Sequence, residues 1–176
     1  MYNQNDDTLL LLHSITGYSG SSVLEIGVGS GRICQSLRKN FSFVVGIDID
    51  IDSIKYCKNN IGSQIHWLCC DVVSAIVGKF DLIVSNPPYL PNEDTNKFQD
   101  RTIHGGRVGI ELTLRFIEDS LPLLKTNGKI IIISSSLANL RHLDNFISYK
   151  NLKKRIISSK KFFFETLYVY ELSLKL

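Results

Sequence analysis

Apolar, strand-like runs alternate with stretches of helical period along most of the chain. The runs are Val23–Ile26, Phe43–Ile47, Ile65–Cys69, Phe80–Ser85 and Lys129–Ser134. Helical patterns lie between them near Ile33–Lys39, Ile51–Asn60, Val72–Val77 and Gly109–Leu121. This alternation predicts a parallel sheet with helices on both faces. After a helical stretch at Leu137–Ile147 the pattern changes. Leu152–Ser159 and Thr166–Leu174 follow one another as two strands, hence an antiparallel pair at one side of the sheet. The prediction is an α/β fold with a seven-stranded, mostly parallel sheet and a C-terminal antiparallel strand pair. Ahead of the first strand, Asp6, Asp7 and Thr8 can cap a helix with body Leu9–Ile15. Residues 1–176 are therefore expected to form a single domain, with 1–20 as an N-terminal helical segment. Leu90–His104 has no apolar period and reads as a long loop.

Composition narrows the class. A chain of 176 residues suffices for one sizeable core, and 44% hydrophobic against 21% charged residues marks it as globular. A net charge of +3 is too mild to indicate a nucleic-acid binder. Apolar runs such as Ile130–Ile133 are far too short to span a bilayer, and the start has neither a basic nor an apolar leader region. The expected location is cytoplasmic, with a nuclear pool allowed. Cys34, Cys57, Cys69 and Cys70 form no C-x-x-C pair, so free thiols are expected and no metal site built from this chain alone.

The candidate chemistry sits at strand ends. Asn86-Pro87-Pro88-Tyr89 follows the run Phe80–Ser85. The Asn86 side-chain oxygen and the Pro87 carbonyl can each accept one hydrogen of a planar –NH2 group. The two prolines fix φ and remove competing donors, and Tyr89 can lay an aromatic face beside the bound plane. After the first strand comes Glu25-Ile26-Gly27-Val28-Gly29-Ser30-Gly31. Gly27, Gly29 and Gly31 allow close backbone approach, but Arg32 breaks the dinucleotide fingerprint. A carboxylate just before the loop repels pyrophosphate and suits a cationic ligand such as S-adenosylmethionine. Asp48 follows Gly27 at the roughly 20-residue spacing at which an acid meets ribose hydroxyls. Asp71, after the third strand, can accept from an adenine amino group. Taken singly, the glycine loop is a tight connection, Asp48 or Asp71 a helix cap, and the Asn-Pro-Pro-Tyr run a rigid turn. In this order they point to a nucleoside cofactor and an amino-group acceptor.

With these motifs the chain resembles class I S-adenosylmethionine-dependent methyltransferases of the HemK type, with a Rossmann-like fold. Within them it resembles the short eukaryotic and archaeal branch that methylates a glutamine of class 1 translation release factors. Asp6-Asp7-Thr8 followed by four leucines resembles the family's N-terminal cofactor-contact segment, and Gly105-Gly106-Arg107-Val108-Gly109 the stretch after its substrate loop. Tyr2-Asn3-Gln4 and His104 depart from the family's Tyr-Glu-Pro and Trp. The resemblance implies that Thr8, Glu25, Gly27, Gly29, Gly31, Asp48, Asp71, Val72 and Asn86 bind the cofactor. It implies that Asn86, Pro87, Pro88 and Tyr89 hold the acceptor. It also implies a small zinc-binding activator subunit as partner, for which the apolar edge strand Gln64 to Cys70, with the chain's only tryptophan at Trp67, offers strand addition. An alternative is that Trp67 packs within its own chain. Rival functions are an adenine-N6 DNA methyltransferase, which the mild charge disfavours, a non-catalytic scaffold, and a lysine methyltransferase.

Overall fold

The computed structural model describes residues 6–89 and 109–175. The loop Leu90–His104, the Gly105–Val108 stretch and Tyr2-Asn3-Gln4 lie outside the described residues. The elements are α1 (Asp6–Ser14), β1 (Gly20–Ile26), α2 (Arg32–Leu37), β2 (Phe41–Asp48), α3 (Ile51–Asn60), β3 (His66–Cys69) and β4 (Phe80–Ser85). They continue with α4 (Glu111–Ser120), a 3-10 turn at Leu121–Leu123, β5 (Leu124–Ser135), α5 (Leu140–Tyr149), β6 (Leu152–Lys161) and β7 (Thr166–Leu174). The seven strands form one sheet in the order β3-β2-β1-β4-β5-β7-β6. The first five are parallel neighbours, and β7 runs antiparallel to β5 and β6.

The strands alternate between two cores, because successive side chains point to opposite faces. Val23, Val44, Leu82, Val84, Ile131 and Ile133 pack with Leu11, Leu37 and Ile54 on one face. Leu24, Ile26, Val45, Ile47, Ile83 and Ile132 pack with Ile117 and Leu143 on the other. A strand buried on both faces must be apolar throughout, which explains the continuous runs. From β1 the chain steps outward through β2 to β3, then crosses to the other side of β1 for β4. The crevice outside the carboxyl ends of β1 and β4 is the switch point where open α/β sheets bind ligands.

Two expectations need correction. Val72–Val77 is a series of turns, not a helix. Two adjacent β-branched valines, Val72 at φ 47 and Gly78 at φ 122 oppose helix nucleation in so short a segment. The strand expected over Lys129–Ser134 begins earlier, at Leu124, which pairs with Phe80 across an irregularity in the ladder. At the sheet margin, β3 pairs only with β2 among the described strands, as expected for an edge. Its Trp67, however, is half-buried in its own chain and donates Nε1–H to the Gly62 carbonyl at 3.0 Å. No described helix is long and apolar enough to cross a membrane.

Candidate active site

The loop after β1 is shaped by three glycines at positive φ: Gly27 at 78°, Gly29 at 47° and Gly31 at 73°. Its backbone is anchored to β2. The Gly27 and Val28 N–H groups donate to the Ile47 carbonyl at 2.8 and 3.1 Å, and the Gly29 N–H donates to Asp48 Oδ2 at 3.0 Å. A Cβ on Gly27 or Gly29 would meet nothing within 4 Å, so this side of the loop faces open space. A Cβ on Gly31 would stand 2.5 Å from Ile61 Cδ1, 2.8 Å from Cys57 Sγ and 3.2 Å from the Trp67 ring.

The three acids lie after three successive strands but play different parts. Glu25 is 1% exposed, and its Oε2 accepts from the Cys34 N–H in the first turn of α2 at 2.7 Å. Burial pushes its carboxyl up to about 8; the Cys34 hydrogen bond opposes this and the charge of Asp48 adds to it. Asp48 spans the loop and the next connection, accepting also from the Asp50 N–H at 2.9 Å. Asp50, not Asp48, caps α3. Asp71 is engaged in two hydrogen bonds by Arg115 of α4, at 3.0 and 2.8 Å. That pair is about half exposed, leaving carboxylate lone pairs for a further donor. Beside it Val72 is buried at positive φ, an outlier for a β-branched residue of the kind that gathers at ligand clamps.

Asn86 follows directly on β4, whose last residue Ser85 donates its hydroxyl to the Ile26 carbonyl at 2.9 Å. The Asn86 Nδ2 group donates to Asp7 Oδ2 at 3.1 Å, and the Tyr89 hydroxyl donates to the same oxygen at 3.4 Å. The other oxygen of Asp7 accepts the Thr8 N–H at 2.6 Å and the Thr8 hydroxyl at 3.3 Å. The sequence offers Asp7 as a helix cap and as part of a segment that resembles a cofactor contact, but gives it no role at the acceptor site. It is the residue that gathers Asn86, Tyr89 and Thr8, and the Asp6-Asp7-Thr8 run was the one signal for it. With its amide nitrogen so engaged, Asn86 presents Oδ1, which is buried and has no hydrogen-bond partner among the described residues. A buried acceptor left unmet is costly, and at the end of β4 it is placed to take a donor from a bound group. The Tyr89 ring is 5% exposed and packed in the core, rather than standing open as a stacking face.

The four cysteines are separate free thiols, and no described group of three His, Cys, Asp or Glu could hold a metal. His13, His66 and His142 lie on α1, β3 and α5, and His104 is outside the described residues.

The chain is similar to known proteins in sequence and in fold. Residues 3–161 match the family described as methyltransferase small domain. A Methanocaldococcus jannaschii protein, named provisionally as a protein N5-glutamine methyltransferase, is 33% identical over 176 residues, covering 96% of this chain and 89% of that protein. The release factor glutamine methyltransferase of Streptococcus pneumoniae is 32% identical over 124 residues, covering 63% of this chain and 44% of its own length. The chain thus spans less than half of that relative. Among solved structures, the E. cuniculi Mtq2-Trm112 complex, described as responsible for methylation of the eRF1 translation termination factor, matches with a TM-score of 0.80. The identity is 24%, with 99% of this chain and 98% of that one covered, a likeness of fold.

Proposed function

The chain belongs to the methyltransferase small domain family, and on that footing we propose that it methylates the side-chain nitrogen of a protein glutamine, in the Gly-Gly-Gln segment of a class 1 translation release factor. The observation that carries the reading is the buried, unpartnered Asn86 Oδ1 at the end of β4. A carboxamide –NH2 has two donors in one plane. Asn86 Oδ1 and the Pro87 carbonyl are the two acceptors that would meet them. The names of the M. jannaschii and S. pneumoniae relatives support the glutamine acceptor, and the E. cuniculi complex supports the release factor.

The crevice fits S-adenosylmethionine on two counts. The Gly27–Gly29 side of the loop is open, and a carboxyl with a raised pKa, Glu25, lies buried beneath that loop, where a nearby cation would draw it into the charged form. Thr8, Glu25, the loop glycines, Asp48, Asp71, Val72 and Asn86 would hold it. When bound, S-adenosylmethionine supplies a methyl carbon made electrophilic by its sulfonium.

The protein's own contribution is placement. Asn86 and Pro87 fix the acceptor amide by both hydrogens, so its delocalised and weakly nucleophilic nitrogen is held in one orientation at a site kept ready by Asp7. Holding two partial positive hydrogens also favours the positive charge that grows on that nitrogen. The extra proton is lost after the new N–C bond has formed, so no general base is needed for the transfer.

For the partner, the uncovered edge β3 supports strand addition by a small zinc-binding activator subunit, as does the Mtq2-Trm112 likeness. The backbone of β3, rather than Trp67, would carry that contact, since Trp67 is turned into its own chain.

The test is methyl transfer from labelled S-adenosylmethionine to a release factor whose Gly-Gly-Gln glutamine is intact or replaced, with the activator present. Asn86→Ala is expected to abolish transfer while leaving cofactor affinity largely intact. Full turnover by that variant, or equal labelling of the glutamine-replaced factor, refutes the assignment.

A further inference from the structure

The turn joining β6 to β7 carries two large apolar side chains in the open. Phe162 N–H donates to the Glu165 carbonyl at 2.7 Å and closes it. The two residues inside, Phe163 and Phe164, are 90% and 84% exposed. Neither is at positive φ, so the bend asks for no special residue type, and nothing in the turn itself requires two aromatic side chains. Two phenylalanines in water add nothing to folding. Here they pack edge to face, with ring centroids 4.6 Å apart and an 86° interplanar angle.

The turn is firmly mounted. Glu165 accepts from the Ser135 hydroxyl at 2.6 Å, and the Thr166 N–H donates to Ser136 Oγ at 2.9 Å. Lys160 stands 5.0 Å from the Phe162 ring centroid and bonds Asp6 Oδ1 at 3.0 Å. Asp6 precedes Asp7, which holds Asn86 and Tyr89. The tip and the acceptor site thus share the first turn of α1.

Strand register places the tip relative to the site. Ser85, Ile132, Tyr170 and Ile156 lie in one row across β4, β5, β7 and β6. Phe163 and Phe164 lie beyond that row on the side of the strand ends that carry Asn86. At about 3.3 Å per residue and about 4.8 Å per strand, the tip stands roughly 20 Å from Asn86, mostly outward and partly to the side.

We propose that Phe163 and Phe164 are a docking anchor for the folded body of the protein substrate, gripping it while its glutamine loop reaches Asn86. This rests on the release-factor reading above. The occupant is the folded body that carries the glutamine loop: a peptide with three or four residues on either side of its glutamine reaches only about 10–14 Å from Asn86 and misses the tip. It carries an apolar hollow for the two rings, and carboxylates beside it to face the exposed Lys161. A nucleic acid fits less well. Lys154, Arg155 and Lys160 on β6 are already paired with Asp144, Glu171 and Asp6, whereas phosphate binding needs several available cations.

The test uses the full chain with its activator and two substrates, a whole class 1 release factor and a short peptide around its Gly-Gly-Gln glutamine. The double variant Phe163→Asn, Phe164→Ser removes two exposed rings without altering the backbone demand of the turn, so its melting temperature should change little. Expected is a KM for the whole factor raised roughly tenfold or more, as for loss of an aromatic anchor, with kcat and the peptide's KM unchanged. An unchanged KM for the whole factor overturns the proposal, and so does a parallel loss on factor and peptide. An unchanged factor KM with lost binding of a labelled single-stranded RNA reassigns the tip to nucleic acid. If wild type turns over neither substrate, the glutamine reading fails, and the anchor fails with it.

Discussion

Glu25 offers a test of the cofactor crevice that needs no substrate. In the free protein its carboxyl is buried and pushed up to about 8. At pH 7 such a group is about 90% neutral. A bound sulfonium or ammonium nearby favours the carboxylate, so binding should release about 0.9 proton at that pH. The sign also sets the stability of the free protein. The native state keeps a proton that the unfolded chain loses near the ordinary value of 4.5, so stability falls as pH rises from there to about 8. Cofactor affinity runs the other way, tightening up to about pH 8 and then levelling. Calorimetric titration of wild type and Glu25→Gln with S-adenosylmethionine cancels the ligand's own titration in the ratio of the two affinities. That ratio should widen in favour of wild type by about fiftyfold between pH 6 and pH 8, the factor for one ionisation with this pKa. Repeating the titration in buffers of different ionisation enthalpy counts the proton directly. A flat ratio with no proton released would mean that Glu25 only ties the loop to α2 through Cys34, and the electrostatic argument would be lost.

Two further outcomes follow from the hydrogen bonds. Asp7→Ala removes the acceptor that orients the Asn86 amide and should lower kcat by roughly 10- to 100-fold, the worth of a charge-assisted hydrogen bond, with cofactor affinity little changed. Asp7→Asn keeps an acceptor and should retain most of the turnover; equal losses in both variants would refute the orienting role. Asp81, at the far end of β4, accepts from Ser21, Ser22 and Lys125. Burial opposes its charge, but these donors outweigh it and hold the carboxyl well below the usual aspartate range. Asp81→Asn should cost roughly 1–3 kcal/mol of stability at neutral pH with kcat untouched. Because the folded pKa is depressed, the gap in Tm between wild type and variant should close as pH falls below 3.8; a gap that persists in acid argues against the ionic origin.

Much of this architecture was legible in the chain because burial on both faces leaves little freedom. β4, α3 and β7 begin and end where the apolar runs and caps place them. The glycine loop and the acids after β1, β2 and β3 fell in place for the same reason, since a parallel sheet brings its strand ends to one edge. Partnerships between distant residues were not legible. Asp7 meets Asn86 across the sheet edge, and nothing local in Asp6-Asp7-Thr8 separates a cap from a clamp. Asp71 looked available, but Arg115 of α4 comes to it from far along the chain. Trp67 looked like an exposed edge anchor because strand alternation does not reveal which face has room for an indole. Gly31 and Gly46 make that room: a Cβ on Gly46 would stand 2.5 Å from the indole.

That last packing has a practical meaning. The protein carries a single tryptophan, and it sits behind the glycine loop, 3.2 Å from where a side chain on Gly31 would begin. Its emission therefore comes from one place, with no second indole to dilute it. The same ring sits on β3, the strand proposed above for strand addition. One native fluorophore thus watches both sides of the enzyme: filling of the crevice should be visible as a change in its spectrum, and so should strand addition at β3. If the two events share this indole as a mechanical link, each should shift the midpoint of the other's titration by the same factor, as reciprocity between coupled sites demands.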